Sequence, residues 1–256
     1  MLGEDTLVLT HRGFKKVRDL IIYDELLTRY GTFEPVVELG PWKNVDKVVT
    51  LSSGEQIYCS DDLLWGASKS LFPESRNSFI YTDEFDLENN IYNCNDTLEM
   101  EGDKKRSIPN AYELGVVVPD RVPDEVILAN LETRLAFMAG LIDSQICELR
   151  LTEGSYAFYT NYIDLATSII TLARSIEWGA RLMIVQGVYR VDVYMTKYID
   201  ALPIRDEYKL FSDYVDKDKH IKINNIETVE DSDVMGRTVR VNGGALLIGY
   251  TLVPVS

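Results

Sequence analysis

The order of local signals predicts a β-rich domain assembled from both ends of the chain and interrupted by an α+β insertion. Three observations carry that expectation. Short alternating runs between turn residues fill the first hundred residues, helical periodicity takes over from about residue 124, and β-like runs return over the last forty. Charge changes along the same division. Residues 1–103 hold nine basic against twenty acidic side chains, residues 104–215 hold twelve against fifteen, and residues 216–256 hold five against six. The expected organisation is therefore 1–103 and 216–256 as two parts of one β domain, with 104–215 inserted between them.

Taken in order, Thr6-Leu7-Val8-Leu9-Thr10 alternates and ends at a turn around Gly13. Val36–Leu39 runs into Gly40-Pro41. Lys47–Leu51 meets Ser53-Gly54, and Gln56–Ser60 completes a hairpin, because a short Gly-containing link between β-rich runs favours one. Residues Asp83–Asp103 are acidic with little apolar period and read as a loop or boundary, closed by Lys104-Lys105-Arg106. Asn130 caps a helix whose N3 residue is Thr133, with Leu131, Leu135, Met138, Leu141 and Ile142 near helical spacing. Glu148–Thr152 and Tyr156–Thr160 read as strands. Tyr162–Ile176 reads as a second helix, stopped by Gly179 in the manner of a C′ glycine. Arg181–Val185 and Val188–Tyr194 form a hairpin through Gln186-Gly187, and Asp206–Tyr214 reads as a last helix. Ile221–Ile223, Thr238–Val241 and Ala245–Val253 then return to strand. The insertion thus reads as helix, two strands, helix, two strands, helix.

The 256 residues are 46% hydrophobic and 26% charged, enough apolar side chain for a sizeable core. A net charge of −15 repels phosphate backbones and anionic lipid over most of the surface. Three widely spaced cysteines, Cys59, Cys94 and Cys147, suit a reducing, cytoplasmic compartment better than a disulfide framework. His11 and His220 lie far apart and leave little room for a zinc site. The expectation is a protein without a membrane partner, since no apolar run approaches the length of a span.

Several segments carry a resemblance. Leu2-Gly3-Glu4-Asp5-Thr6-Leu7-Val8, Val17-Arg18-Asp19-Leu20 and Gly54–Asp62 resemble the N-terminal splicing region of an intein. Val239-Arg240-Val241 through Leu252-Val253-Pro254-Val255 resembles an intein's C-terminal region. Phe137-Met138-Ala139-Gly140-Leu141-Ile142-Asp143-Ser144 is similar to the LAGLIDADG helix of homing endonucleases, and Leu165-Ala166, Leu172–Ser175 and Tyr189-Arg190-Val191 also fit that domain. The resemblance implies a β-rich Hint horseshoe formed by both termini, with an inserted LAGLIDADG-type αββαββα domain. It also implies host-protein (extein) sequence in cis as partner, and double-stranded DNA as an ancestral one.

The family's splicing chemistry uses a Cys or Ser as first residue, a block-B hydroxyl and histidine, and a penultimate His before a terminal Asn. Here the first position is Met1, whose thioether has no proton to lose. Ser60 supplies the hydroxyl, but the histidine position holds Leu63, which neither donates a proton nor carries charge. Either Val255 and Ser256 replace the His-Asn pair, or the pair is deleted and Ser256 is the first residue of the following sequence, and in both cases a serine has no carboxamide to cyclise. In the helix motif, Ala139 and Gly140 keep the small contact residues, whereas the metal-binding acid corresponds to Gln145. Asp143 is retained. In the family it serves the helix end more than the metal, and Glu148 is an acid displaced by three residues. No second helix motif is evident, so the chain would have to form a homodimer or has lost its second half.

The expectation is an intein-like element with neither activity and no cofactor. An endonuclease still active as a homodimer, with Mg²⁺ at Asp143 or Glu148, is one alternative. A domesticated interaction domain whose acidic face meets a basic partner is the other. Arg150, Arg181 and Arg190 either face DNA or belong to a solvated sheet face. Cys59 reads as a small buried side chain.

Overall fold

The computed structural model describes residues 1–69, 79–94, 100, 106–151, 154–210, 221–230, 232–242 and 244–256. The expected boundaries at 103/104 and 215/216, and His220, lie outside these residues. The chain divides into two compact units, Met1–Leu98 with His220–Ser256, and Glu99–Lys219.

The first unit is antiparallel β-structure, with sixteen strands among the described residues joined in one hydrogen-bonded network. Alternation decides which side chains enter its core. Val8, Val49, Leu51, Ile57, Cys59, Trp65 and Tyr92 come from the N-terminal part, and Ile223, Leu246, Ile248, Val253 and Val255 from the C-terminal part. The two parts interleave. Lys222–Thr228 pairs with Lys47–Leu51, Leu246–Ile248 pairs with Leu7–Thr10, and Val253–Val255 pairs with Leu64–Ser68.

Lys47–Leu51 and Gln56–Cys59 form the expected hairpin, with Gly54 at φ +87° in its turn. The acidic stretch read as a loop contains a strand, Tyr92–Cys94, because the fully buried Tyr92 and its neighbours complete pairing with two other strands. Ala245–Val253, read as one strand, is two. Gly249 at φ +70° and Leu252 at φ +51° turn the chain between Leu246–Ile248 and Val253–Val255.

The second unit has helices α1 (Ala111–Val117), α2 (Asp124–Ile127), α3 (Leu131–Asp143) and α4 (Ile163–Ser175). Its antiparallel sheet has the order Cys147–Arg150, Ser155–Thr160, Val188–Tyr194, Gly179–Val185. Asn130 caps α3 by accepting from the Thr133 N–H at 2.9 Å. Arg134 of α3 is fully buried and donates to the carbonyls of Ser175 and Met100, both at 2.6 Å. The α4 stop is not Gly179, which opens a strand. Glu177 takes the left-handed position at φ +62°, after Ile176. Gln186 and Gly187, at φ +53° and +82°, give the hairpin turn the two positive φ values of type I′. At the last predicted helix the described residues hold only a single 3₁₀ turn, Glu207–Lys209, and residues 211–214 lie outside them. Among the described residues no helix is long and apolar enough to cross a membrane.

Candidate functional site

In the first unit, Met1 and Ser256 line one cavity of about 500 Å³, with Asp62, Leu63, Tyr81 and Arg237 among its other walls. Leu2–Gly3 lies between two strands, with Leu2 opposite both Cys59 and Arg237. Gly3 is needed there, since a Cβ would sit 2.7 Å from that of Tyr58. This pairing delivers Met1 to the turn after Cys59. The Ser60 N–H donates to the Met1 carbonyl at 3.2 Å, and the Met1 nitrogen donates to Ser60 Oγ and, at 3.3 Å, to Asp62 Oδ1. Ser60 in turn donates to Asp62. That hydroxyl, opposed by partial desolvation, holds the Asp62 carboxyl below its ordinary value.

The other wall comes from the C-terminal strand. Val255 lies opposite Trp65, and Leu64 and Ser256 exchange backbone hydrogen bonds at 3.2 and 2.9 Å. Leu63 therefore sits between the segments that carry Met1 and Ser256. It is 5% exposed and belongs to the core. Its carbonyl accepts from the Thr82 N–H at 3.0 Å and the Thr82 hydroxyl at 3.2 Å. The indole of Trp65 donates to the same hydroxyl at 3.1 Å.

Sequence reasoning did not single out Thr82, because its importance rests on contacts nineteen and seventeen residues away. Cys59 also approaches it, and burial pushes that thiol up to about 12. Arg237, equally unanticipated, donates to the carbonyls of Val17 and Leu20 at 2.6 and 2.9 Å and lies over the Trp42 ring. Among the described residues lining the cavity there is no thiol, imidazole or carboxamide.

In the second unit Asp143 closes α3. It accepts from the Tyr112 hydroxyl at 2.5 Å, the Arg205 N–H at 2.7 Å and the Asp206 N–H at 3.3 Å. Burial, then the bond to Asp143, pushes the Tyr112 phenol up to about 12. Lys209 Nζ donates to the carbonyls of Ile142 and Ser144 at 2.8 and 2.7 Å, the interaction expected of a cation at a helix C-terminus. Gln145 and Glu148 are exposed beyond it. The residues present do not fit a divalent cation. The acid at the helix end is held by three donors, an ammonium covers the neighbouring carbonyls, and the next candidate is a neutral amide. Among the described residues no three His, Cys, Asp or Glu side chains converge on a metal position.

The face of α3 that carries Ala139 and Gly140 meets α1. A Cβ on Gly140 would collide with the Tyr112 carbonyl and lie 3.0 Å from the Val116 nitrogen, and one on Gly115 would meet the α3 backbone at Phe137 and Leu141. The two helices thus cross glycine against glycine within one chain, a packing that the sequence reading, with no helix assigned to residues 111–117, did not anticipate. Asp120 follows Gly115 by five residues, as Gln145 follows Gly140. Val118, at φ +57°, and Pro119 end α1 before that acid.

Arg150, Arg181 and Arg190 share one sheet face, as their registers opposite Ser155, Asp192 and Tyr159 require. That face also carries Glu148 and Asp192. Arg190 is committed to a two-bond pair with the buried Asp192, both contacts at 2.7 Å. Arg150 approaches the Tyr159 hydroxyl at 3.5 Å, and Arg181 is exposed.

No protein-family model and no curated protein matches this chain. Solved structures similar to it include the gp41-1 intein, at 18% identity and a TM-score of 0.31, covering 38% of this chain and 70% of that one. A triple variant of the same intein gives 19% identity with the same coverage and score. The zinc-bound splicing domain of the Msm DnaB1 intein is 11% identical with a TM-score of 0.35, covering 99% of this chain and 98% of that one.

Proposed function

We propose that this chain is an intein-like element, a Hint-type splicing domain carrying a reduced LAGLIDADG-type insertion, and that it is catalytically silent in both parts. The observation that supports this reading best is the convergence of the Met1 and Ser256 segments on Leu63 in one cavity. Splicing needs two polypeptide junctions side by side, with an acid between them to protonate the departing nitrogen. The backbone frame suits that task, and the side chain at its centre is an isobutyl group. Ser60 keeps a hydroxyl beside the Met1 nitrogen, yet that hydroxyl is itself tied to Asp62.

In the insertion, α1 and α3 would be the remains of the endonuclease helix pair, with Asp120 and Gln145 at equivalent ends. One acid without its partner, and a lysine over the helix terminus, support loss of cleavage. The helix pair is complete within the chain, so the reading requires no homodimer and no cofactor. DNA is an ancestral partner only.

Placing the chain between two reporter domains tests the splicing part. Met1→Cys with His-Asn appended after Ser256 is expected to give no ligated reporter. Adding Leu63→His should restore thiol-induced cleavage at the Met1 junction. Ligation with Leu63 still in place would overturn the reading. Sequence-specific cutting of a duplex library by the purified chain with Mg²⁺, abolished by Asp120→Ala, would overturn the endonuclease part.

A further inference from the structure

The sheet of the second unit has two unlike edges. Cys147–Arg150 is four residues long and carries Glu148 and Arg150, the short and charged kind of edge that resists pairing with another chain. Gly179–Val185, at the other edge, is seven residues long. Arg181 is its one charge, and Leu182, Met183, Ile184 and Val185 follow in succession. Ile184 is 69% exposed and Val185 38%.

The register fixes which backbone groups this edge offers. The Tyr159 N–H donates to the Ile146 carbonyl at 2.8 Å, so Tyr159 turns its backbone groups away from Arg190, which lies opposite it on the next strand. Because direction alternates along a strand, Arg190 then turns toward its other partner, Met183. Arg181, Met183 and Val185 therefore spend their groups inside the sheet. Ala180, Leu182 and Ile184 aim theirs outward, and among the described residues no strand meets them.

We propose that this edge pairs antiparallel with the same edge of a second copy, about a two-fold axis at Met183. The outward groups of Leu182 then meet those of Ile184 in the other copy, giving about four N–H···O bonds between copies. Leu182 packs beside Ile184 on one face of the joined sheet, and Met183 beside Met183 on the other. A second copy is the occupant that fits, because the same segment supplies the apolar match for each of its own exposed residues. Charge selects the register. With the axis at Met183, Arg181 lies opposite Val185, and the two guanidinium groups are about 14 Å apart along the strand, beyond the screening length of physiological salt. An axis at Leu182 would halve that distance and leave Ile184 opposite Ala180. The start of each strand meets the turn of the other copy, where Gly179 and Gly187 bring no side chain, and a Cβ on Gly187 would meet nothing within 4 Å. The pairing is isologous and closes at two copies, since the remaining edge is charged. It goes beyond the splicing reading and stands apart from the helix pair, which α1 and α3 already complete within one chain.

Sedimentation equilibrium of the full chain tests the proposal, with a concentration-dependent exchange between monomer and dimer expected. Ile184→Pro removes one outward N–H and no bond inside the sheet, and should weaken dimerisation at least about tenfold. Ile184→Lys sets a charge opposite Leu182 and should do the same without altering the backbone. The native cysteines described are buried, so cross-linking reports an introduced thiol. Met183→Cys should give a disulfide-linked dimer under mild oxidation, because residues on the axis form the close, non-hydrogen-bonded kind of pair. A chain that stays monomeric at every concentration, a dimer that both Ile184 variants leave unchanged, or cross-linking through Leu182→Cys in place of Met183→Cys would overturn the proposal.

Discussion

Leu63 and Asp143 show how a residue type decides what a position can do. Leu63 has its carbonyl engaged by Thr82, its N–H by the Ser60 carbonyl and its side chain absorbed into the core, so the cavity keeps its shape around an apolar centre. Asp143 kept its carboxylate, and the structure spends every visible bond of it on Tyr112 and the Arg205-Asp206 backbone. Gln145, two residues on, is exposed. These two positions should behave oppositely in a thermal unfolding series. Asp143→Ala removes an acceptor from three donors and is expected to cost about 2–3 kcal/mol, because partners to a charged group are worth more than neutral ones. Gln145→Ala should fall within about 0.5 kcal/mol of the unaltered chain, as surface substitutions do. A large loss at Gln145 would show that it has contacts beyond those described.

At the scale of elements, patterning and chemistry diverge in how well the sequence discloses them. Helix α4 was legible because thirteen residues of apolar spacing leave little doubt about period, and the I′ hairpin because Gln186-Gly187 names its own turn. Strands of two or three residues, such as Leu2–Gly3 and Tyr92–Cys94, show no period to read. They exist because long-range partners complete them. Helix α1 is the instructive omission. Seven residues followed by a left-handed valine offer a weak helical signal, and what fixes them is the close approach to α3. Gly140→Ala is therefore expected to destabilise the second unit by roughly 3 kcal/mol or more, since the added methyl would meet backbone that cannot rotate away. Calorimetry should place the whole loss in the transition that reports α3 and α4. An unchanged transition would mean that the two helices do not pack glycine to glycine.

At the scale of the whole molecule, the interruption of one β unit by another domain was visible as a change of period and charge. The candidate site was not visible in that way. Its geometry depends on which strands become neighbours across more than two hundred residues, as Leu2 opposite Arg237 illustrates. The same interleaving makes a prediction about autonomy. Cys94 N–H donates to the Ile221 carbonyl at 2.6 Å, so the two points where the chain leaves and re-enters the β unit are already in hydrogen-bonding contact. A bridge of about three or four Gly/Ser residues can span that gap at little entropic cost, because loop closure grows only slowly with length. Replacing residues 95–220 by such a bridge should leave a chain with a cooperative unfolding transition and the circular dichroism of antiparallel sheet. The core of that chain is intact, since every one of its buried members lies outside the deleted segment. A molten product with exposed apolar surface would show that the β unit depends on the insertion for its fold, and that the two units evolved as one cooperative body.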